Sequence, residues 1–169
     1  MCIRDRFGAE MDALKRAGWV GALSVVLGVV LSFVTGAVVA IGFGFTDAVS
    51  ISTIGAGAAT YIVGPVTGTA LGADSAVIAL SVAAGLVKAI LVMVATPLVA
   101  KRIGLNNPQS ALIYGGLMGT TSGVAAGLAA TDPKLVPYGA MTATFYTGVG
   151  CLLAPSVLYL SVIPLQGLL

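Results

Sequence analysis

Gly119-Thr120-Thr121-Ser122-Gly123 lies inside an apolar run, and a related stretch, Gly64-Pro65-Val66-Thr67-Gly68, stands 55 positions earlier (119 − 64 = 55). Both read G-x-x-[S/T]-G, with Thr67 falling on Ser122. Glycine removes the side chain from the backbone and proline removes a donor, so each motif is expected to interrupt a helix and to free N–H and C=O groups. In hydrocarbon such groups cost several kcal/mol unless protein, ion or water satisfies them, so breaks persist where they line a cavity. Two matched breaks point to a transport site.

The likeness extends along the chain. Asp74 and Asp132 are 58 apart (132 − 74 = 58), as are Pro97 and Pro155 (155 − 97 = 58). The step from 55 to 58 implies a three-residue insertion in the second copy, around Ala126 to Thr131. Two units follow, about 50–102 and 108–160, each with a break, an acid, an apolar span and a proline in that order.

Composition sets the class. With 58% hydrophobic and 8% charged residues in 169, the chain lacks the polar surface of a soluble domain and carries several uncharged runs of membrane-spanning length. An all-α integral membrane protein is expected, with the lipid bilayer as its surroundings. The net charge of +2 is spread over eight basic and six acidic residues, which gives no basic face for nucleic acid. Cys2 and Cys151 form neither a disulfide framework nor a metal-ligand pattern, and histidine is absent. With no nucleophile paired to a base and no metal-ligand set, the sequence argues against an enzyme and against a bound cofactor.

Met1 to Arg6 does not continue the pattern that follows and reads as a non-native start, an adapter read-through that makes the chain a fragment of a longer protein. Residues 7–17, with Glu10, Asp12, Lys15 and Arg16, suit a polar surface helix or a solvated loop. A single transmembrane domain then occupies 18–169. Gly18 to Phe45 is uncharged and long enough to cross a bilayer with tilt. Val49 to Ala73 carries the first break, Ser75 to Ala100 the cleanest span, Gln109 to Thr131 the second break, and Tyr138 to about Leu160 the last span. If every run crossed, Lys101-Arg102 and Arg16 would lie on opposite sides, against the tendency of basic residues to stay cytoplasmic. Re-entrant hairpins at the two breaks fit the charges better. The expected architecture is therefore one transmembrane helix followed by two inverted repeats, each a broken or re-entrant hairpin plus a transmembrane helix.

Helix fragments ending at the breaks direct N-terminal amides toward the midplane, which favours an anion. Thr67, Thr69, Thr120, Thr121 and Ser122 add hydroxyls beside the framing glycines Gly64, Gly68, Gly119 and Gly123. Bonding of those hydroxyls to carbonyls one turn back is the competing account. Carbonyls freed near Gly64 and Gly119 offer oxygen ligands to Na⁺, so a carboxylate with a coupling cation is the natural pair. Lys88 is the basic residue farthest from a span end, where insertion costs about 2.5 to 3.5 kcal/mol. It is expected to neutralise a substrate carboxylate or to pair with Asp74 or Asp132. Under the 58-residue offset its counterpart is Tyr146. Asp74 and Asp132 are better suited to capping helix N-termini.

Four stretches carry a resemblance: TIGAGAATYIVGPVTGTALGA (Thr53 to Ala73), AAGLVKAILVM (Ala83 to Met93), IGLNNP (Ile103 to Pro108) and GGLMGTTSGVAAGLAATDPKLVPYGAMTATFYTGVGCLLAPS (Gly115 to Ser156). From Phe7 onward the chain resembles the MadM subunit of bacterial malonate/sodium symporters, of which it looks like the C-terminal two-thirds. The resemblance implies Na⁺-coupled malonate uptake across the bacterial inner membrane with a small MadL-type membrane subunit; its small size also suggests self-association. A fainter likeness to the LrgB membrane proteins rests on Asn107-Pro108, Gly119-Thr120 and Ser122, with Gly123 where that family tends to carry histidine. It implies a channel-like or assembly component without Na⁺-coupled transport.

Overall fold

The computed structural model describes residues 3–166, with side chains from 18 to 164. All regular structure among them is helical: α1 Ile3–Gly42, α2 Ala48–Ala59, α3 Val63–Leu71, α4 Ser75–Val99, α5 Pro108–Met118, α6 Thr121–Ala129, α7 Val136–Leu153 and α8 Tyr159–Gln166. A 3-10 turn at Pro133–Leu135 leads into α7, and a π turn at Ala154–Leu158 joins α7 to α8. Three stretches, Gly18–Gly42, Ser75–Val99 and Pro133–Pro164, are long and apolar enough to cross a membrane. The outward faces of α1 and α4 carry exposed Leu27, Val34, Val38, Leu86, Ile90 and Leu98, and Trp19 stands exposed where the first stretch begins. Such faces suit lipid tails, and a terminal tryptophan suits the headgroup level. The polar N-terminal piece is helical from Ile3 and bends off at Gly18, whose φ of 30° and ψ of −119° leave the helical region. Met1 and Cys2, and the side chains of Glu10, Asp12, Lys15 and Arg16, lie outside the described residues.

α2 and α3 fold back on each other. A Cβ on Gly64 would stand 2.9 Å from Gly57 Cα, and one on Gly68 2.8 Å from Thr53 Cγ2, so the paired positions run in opposite directions. The arms have 12 and 9 residues. At 1.5 Å per residue they reach about 18 and 14 Å, too short to cross a ~30 Å core. α5 and α6, with 11 and 9 residues, form a wider hairpin. They diverge from their shared turn, and α7 fits between them: a Cβ on Gly139 would stand 3.3 Å from the Ala111 carbonyl and 3.0 Å from Val124 Cγ1.

α4 meets both hairpins. Ser81 packs on Gly57 and Gly64, and Gly85 admits the Tyr61 backbone at the first turn; Ala89 and Thr96 then pack on Gly123 and Gly127 of α6. The hairpins thus approach α4 from its two ends and their turns meet near its middle. In a bilayer, apolar burial drives little association, so close backbone approach through glycine holds these helices together. Polar links across helices add about 0.6 kcal/mol each. Thr96 Oγ1 and the Tyr114 hydroxyl lie 2.7 Å apart, and Thr142 Oγ1 donates to the Leu112 carbonyl at 2.9 Å.

One sequence expectation is corrected. The first break lies at Thr60-Tyr61-Ile62, and Gly64 to Gly68 sit inside α3. Pro65 falls in the first turn of α3, where its missing N–H leaves no bond within the helix unmade, so it starts a helix instead of interrupting one. With the break moved, α3 and α6 begin 58 positions apart (121 − 63 = 58), as do α4 and the Pro133 turn (133 − 75 = 58). Asp74 and Asp132 cap as expected, accepting from Ala76 N at 2.8 Å and Lys134 N at 3.0 Å, and Asp47 also caps, accepting from Ser50 N at 2.8 Å.

Candidate functional site

The middle of α4 carries Lys88 to the level where both hairpins turn. Its Nζ donates to Ser32 Oγ at 2.8 Å, to the Ala59 carbonyl at 2.9 Å and to the Tyr146 hydroxyl at 3.4 Å. The Ala59 carbonyl ends α2, so the ammonium meets the negative end of that helix dipole. The nitrogen also lies 5.3 Å from the Tyr146 ring centroid, within reach of its π face. All three acceptors are neutral. Asp74 and Asp132 cap helices at hairpin ends and do not pair with it.

Tyr146 ties the second break to this lysine. Its side chain is fully buried, its hydroxyl donates to the Gly28 carbonyl at 3.2 Å, and its ring lies where a Cβ on Gly119 would stand. Gly119 has φ 70°, the left-handed conformation that glycine adopts without strain. It ends α5 there and lets the chain turn against the ring.

Of the hydroxyls singled out in the sequence, Thr67 and Thr120 are fully buried and their oxygens have no hydrogen-bond partner. Thr120 starts α6 without capping it, leaving the first amides of that helix to other partners. Its methyl lies beside Gly123, which packs on Ala89, the residue after Lys88. Thr121 is half-buried, while Thr69 and Ser122 are exposed. Gly64, Thr67 and Gly68 occupy α3, and Thr69 follows them down that arm, away from the turn. The central cluster therefore gathers Lys88, Gly119, Thr120 and Gly123, while the first G-x-x-T-G lies along the first hairpin's second arm.

Sequence reasoning missed Ser32, the Ala59 carbonyl and Gly28. Nothing in the pattern marks Ser32, one of three hydroxyls, with Ser24 and Thr35, in the apolar stretch of α1. The 58-residue offset names Tyr146 as the counterpart of Lys88 but does not mark it as a partner in space. Beside Lys88 a groove of about 690 Å³ runs between α1, α4 and the end of α5, lined by Gly28, Ser32, Thr35, Ala58, Leu117 and Met118 among others. Leu91, Leu117 and Met118 also line an apolar groove of about 600 Å³ that continues along α4 to Leu105. A cation anchored by neutral oxygens at the edge of such a groove can receive a carboxylate.

The family model for the malonate/sodium symporter MadM subunit matches residues 2–165. The chain belongs to the MadM family. It is a membrane protein and a subunit of a symporter, so malonate, Na⁺ as coupling ion and further subunits come with the family. A transporter subunit rather than an enzyme is the class this membership implies. No curated protein and no solved structure matches the chain.

Proposed function

We propose that this MadM-family chain takes up malonate with Na⁺ across the bacterial inner membrane, together with a small MadL-type subunit, and that Lys88 receives the substrate carboxylate. The observation that carries this reading is a lysine in the middle of a membrane-spanning helix whose three acceptors are all neutral. Insertion at that depth costs about 2.5 to 3.5 kcal/mol. Hydrogen bonds to a charged group contribute about 1.5 to 3 kcal/mol each, which offsets the insertion without cancelling the charge. An anion entering the 690 Å³ groove completes the pair. The uncapped start of α6 and the free hydroxyl of Thr120 are suited to a second oxygen.

The two hairpins are read as re-entrant, and the two units as inverted repeats of about 50–102 and 108–160. What supports this is the shared interval of 58 from the second arm of each hairpin onward, and the approach of the hairpins to α4 from opposite ends. In such transporters the substrate binds where the repeats meet near the midplane. Leu31, Val39, Val87 and Leu91 line the groove and are exposed, so the partner subunit or a second copy is needed to close it.

The test is uptake of labelled malonate by cells expressing the chain with its partner, with and without a Na⁺ gradient. Saturable, Na⁺-dependent uptake that is lost in Lys88→Met and persists in a Thr121→Ala/Ser122→Ala double variant supports the site at Lys88. Uptake lost only in the double variant moves the site to the second break. No uptake under any condition, with the protein present in the membrane, sinks the malonate reading and favours a channel-like component.

A further inference from the structure

Two buried hydroxyls away from Lys88 lack partners. Ser52 Oγ on α2 and Thr67 Oγ1 on α3 belong to residues with no exposed surface, and neither oxygen has a hydrogen-bond partner. Threonine and serine in apolar helices ordinarily donate to the carbonyl one turn back. Thr53, Thr35 and Thr144 do so here. An unpartnered buried hydroxyl costs about 1 to 3 kcal/mol, so two in one hairpin call for a ligand.

The two point the same way. Thr53 Cγ2 lies against Gly68 across the antiparallel hairpin. Ser52 and Thr67 each precede these facing residues by one position, and one step back turns a side chain by 100° in each helix. Because the helices run in opposite directions, both steps swing to the same side of the hairpin. On α3 it is the side of Val63, one turn before Thr67, which packs on Gly150, and α2 and α3 also meet the π turn Ala154–Leu158. Pro155 in that turn has no N–H to give to the Cys151 carbonyl one turn back, and π turns recur at functional sites. The carbonyl that Pro155 leaves unserved and the two hydroxyls are neutral oxygens set among apolar side chains such as Val63, Ala154 and Leu158.

We propose that Ser52, Thr67 and the carbonyls around Pro155 form the Na⁺ site of the symporter, separate from the carboxylate site at Lys88. This rests on the Na⁺-coupled reading above. Hard monovalent cations take oxygen ligands, and hydroxyls with carbonyls of an interrupted helix supply them without a carboxylate. Among the described residues no cluster of His, Cys, Asp or Glu offers an alternative set of charged ligands. The equivalent positions of the second hairpin do not form such a pair. Ser110 is engaged with Asn107 in the cap of α5, and the position 58 after Thr67 is Ala125, which has no hydroxyl. One cation site on one side of the centre follows, and bound Na⁺ would clamp the first hairpin to the last span.

The experiment measures thermal unfolding of the protein in detergent, purified with its partner subunit, as NaCl replaces choline chloride. Ser52→Ala, Thr67→Val and the double variant are compared with wild type, with Thr67→Ser as the variant that keeps the hydroxyl. Wild type is expected to melt higher as Na⁺ rises, with half-saturation shifted upward by at least about tenfold in Ser52→Ala and Thr67→Val and near wild type in Thr67→Ser. If Na⁺ stabilises wild type and the double variant alike, the cation binds elsewhere and the proposed site is wrong while Na⁺ coupling stands. If wild type itself does not respond to Na⁺, and malonate uptake does not need Na⁺, the coupling reading falls and the site falls with it. Unchanged Na⁺ response with higher melting in the double variant identifies the hydroxyls as unsatisfied groups that hold no cation, and overturns the site.

Discussion

Lys88 Nζ lies 3.4 Å from the Tyr146 hydroxyl and 5.3 Å from its ring centroid, and the two residues stand 58 positions apart (146 − 88 = 58). The same interval separates Val63 from Thr121, where the second arms of the two hairpins begin. Corresponding positions of the proposed repeat thus meet at the centre of the molecule, one cationic and one neutral. Inverted repeats carry equivalent positions to their shared axis, and a pair lying on that axis must touch. Identical lysines would repel there; lysine with tyrosine attracts through the ring face.

If Lys88 receives the substrate, charge and hydrogen-bond reach both count. Lys88→Met is expected to lower malonate uptake at saturating Na⁺ by roughly 10 to 100-fold, the effect of losing one charge-assisted hydrogen bond. Lys88→Arg keeps the charge but not the fit between Ser32 and Ala59, and should fall between. Initial rates at several malonate concentrations check this. Full activity in Lys88→Met would remove the lysine from the binding site.

Tyr146→Phe separates the ring from the hydroxyl. The ring still packs on Gly119, while the Gly28 carbonyl and Lys88 lose a partner. A loss of about 1 kcal/mol in stability is expected, together with a KM for malonate raised severalfold. Tyr146→Ala empties a fully buried site and should cost about 3 to 5 kcal/mol. Denaturation in detergent read alongside uptake distinguishes the two; equal effects from both variants would mean that the ring contributes nothing.

How far the fold was legible in the sequence depends on what each residue had to signal. Glycine and proline spacing located both hairpins, because helices in apolar runs need such residues to turn and to approach closely. The same residues misplaced the first turn by a few positions. Gly64 and Gly68 serve packing on α2, and Pro65 starts α3, whereas the turn itself uses Thr60, Tyr61 and Ile62, which carry no breaker signal. The aspartates were read correctly as caps since capping is local, requiring a side chain and amides two or three residues on. Partners of Lys88 were not legible. Ser32 and Tyr146 come from helices 56 and 58 positions away, and only the three-dimensional packing chooses them.

Gly119 should tolerate no side chain. Its φ of 70° strains any L-residue by about 1 to 3 kcal/mol, and a methyl group would meet the Tyr146 ring. Gly119→Ala is expected to lower the unfolding temperature and displace the ring from Lys88. Gly148→Ala is the control, since nothing stands within 4 Å of its added Cβ and alanine favours helix. Matching melting curves for the two variants would refute the strained turn.

Gly57 tests the packing of the first hairpin on α4. A Cβ there would run into the Ser81 backbone, which cannot move without shifting α4 and the lysine it carries. Overpacking of this kind costs about 1 to 3 kcal/mol, and in a membrane protein held by glycine contacts no apolar gain offsets it. Gly57→Ala is therefore expected to lower stability and to lower malonate affinity together, since both depend on the distance between the Ala59 carbonyl and Lys88. Gly42→Ala, at an open position near the end of α1, should change neither. The deciding comparison is uptake normalised to folded protein in the membrane. A Gly57→Ala protein that is less stable yet binds malonate with unchanged affinity would separate the hairpin from the binding site and leave α4 to hold Lys88 alone.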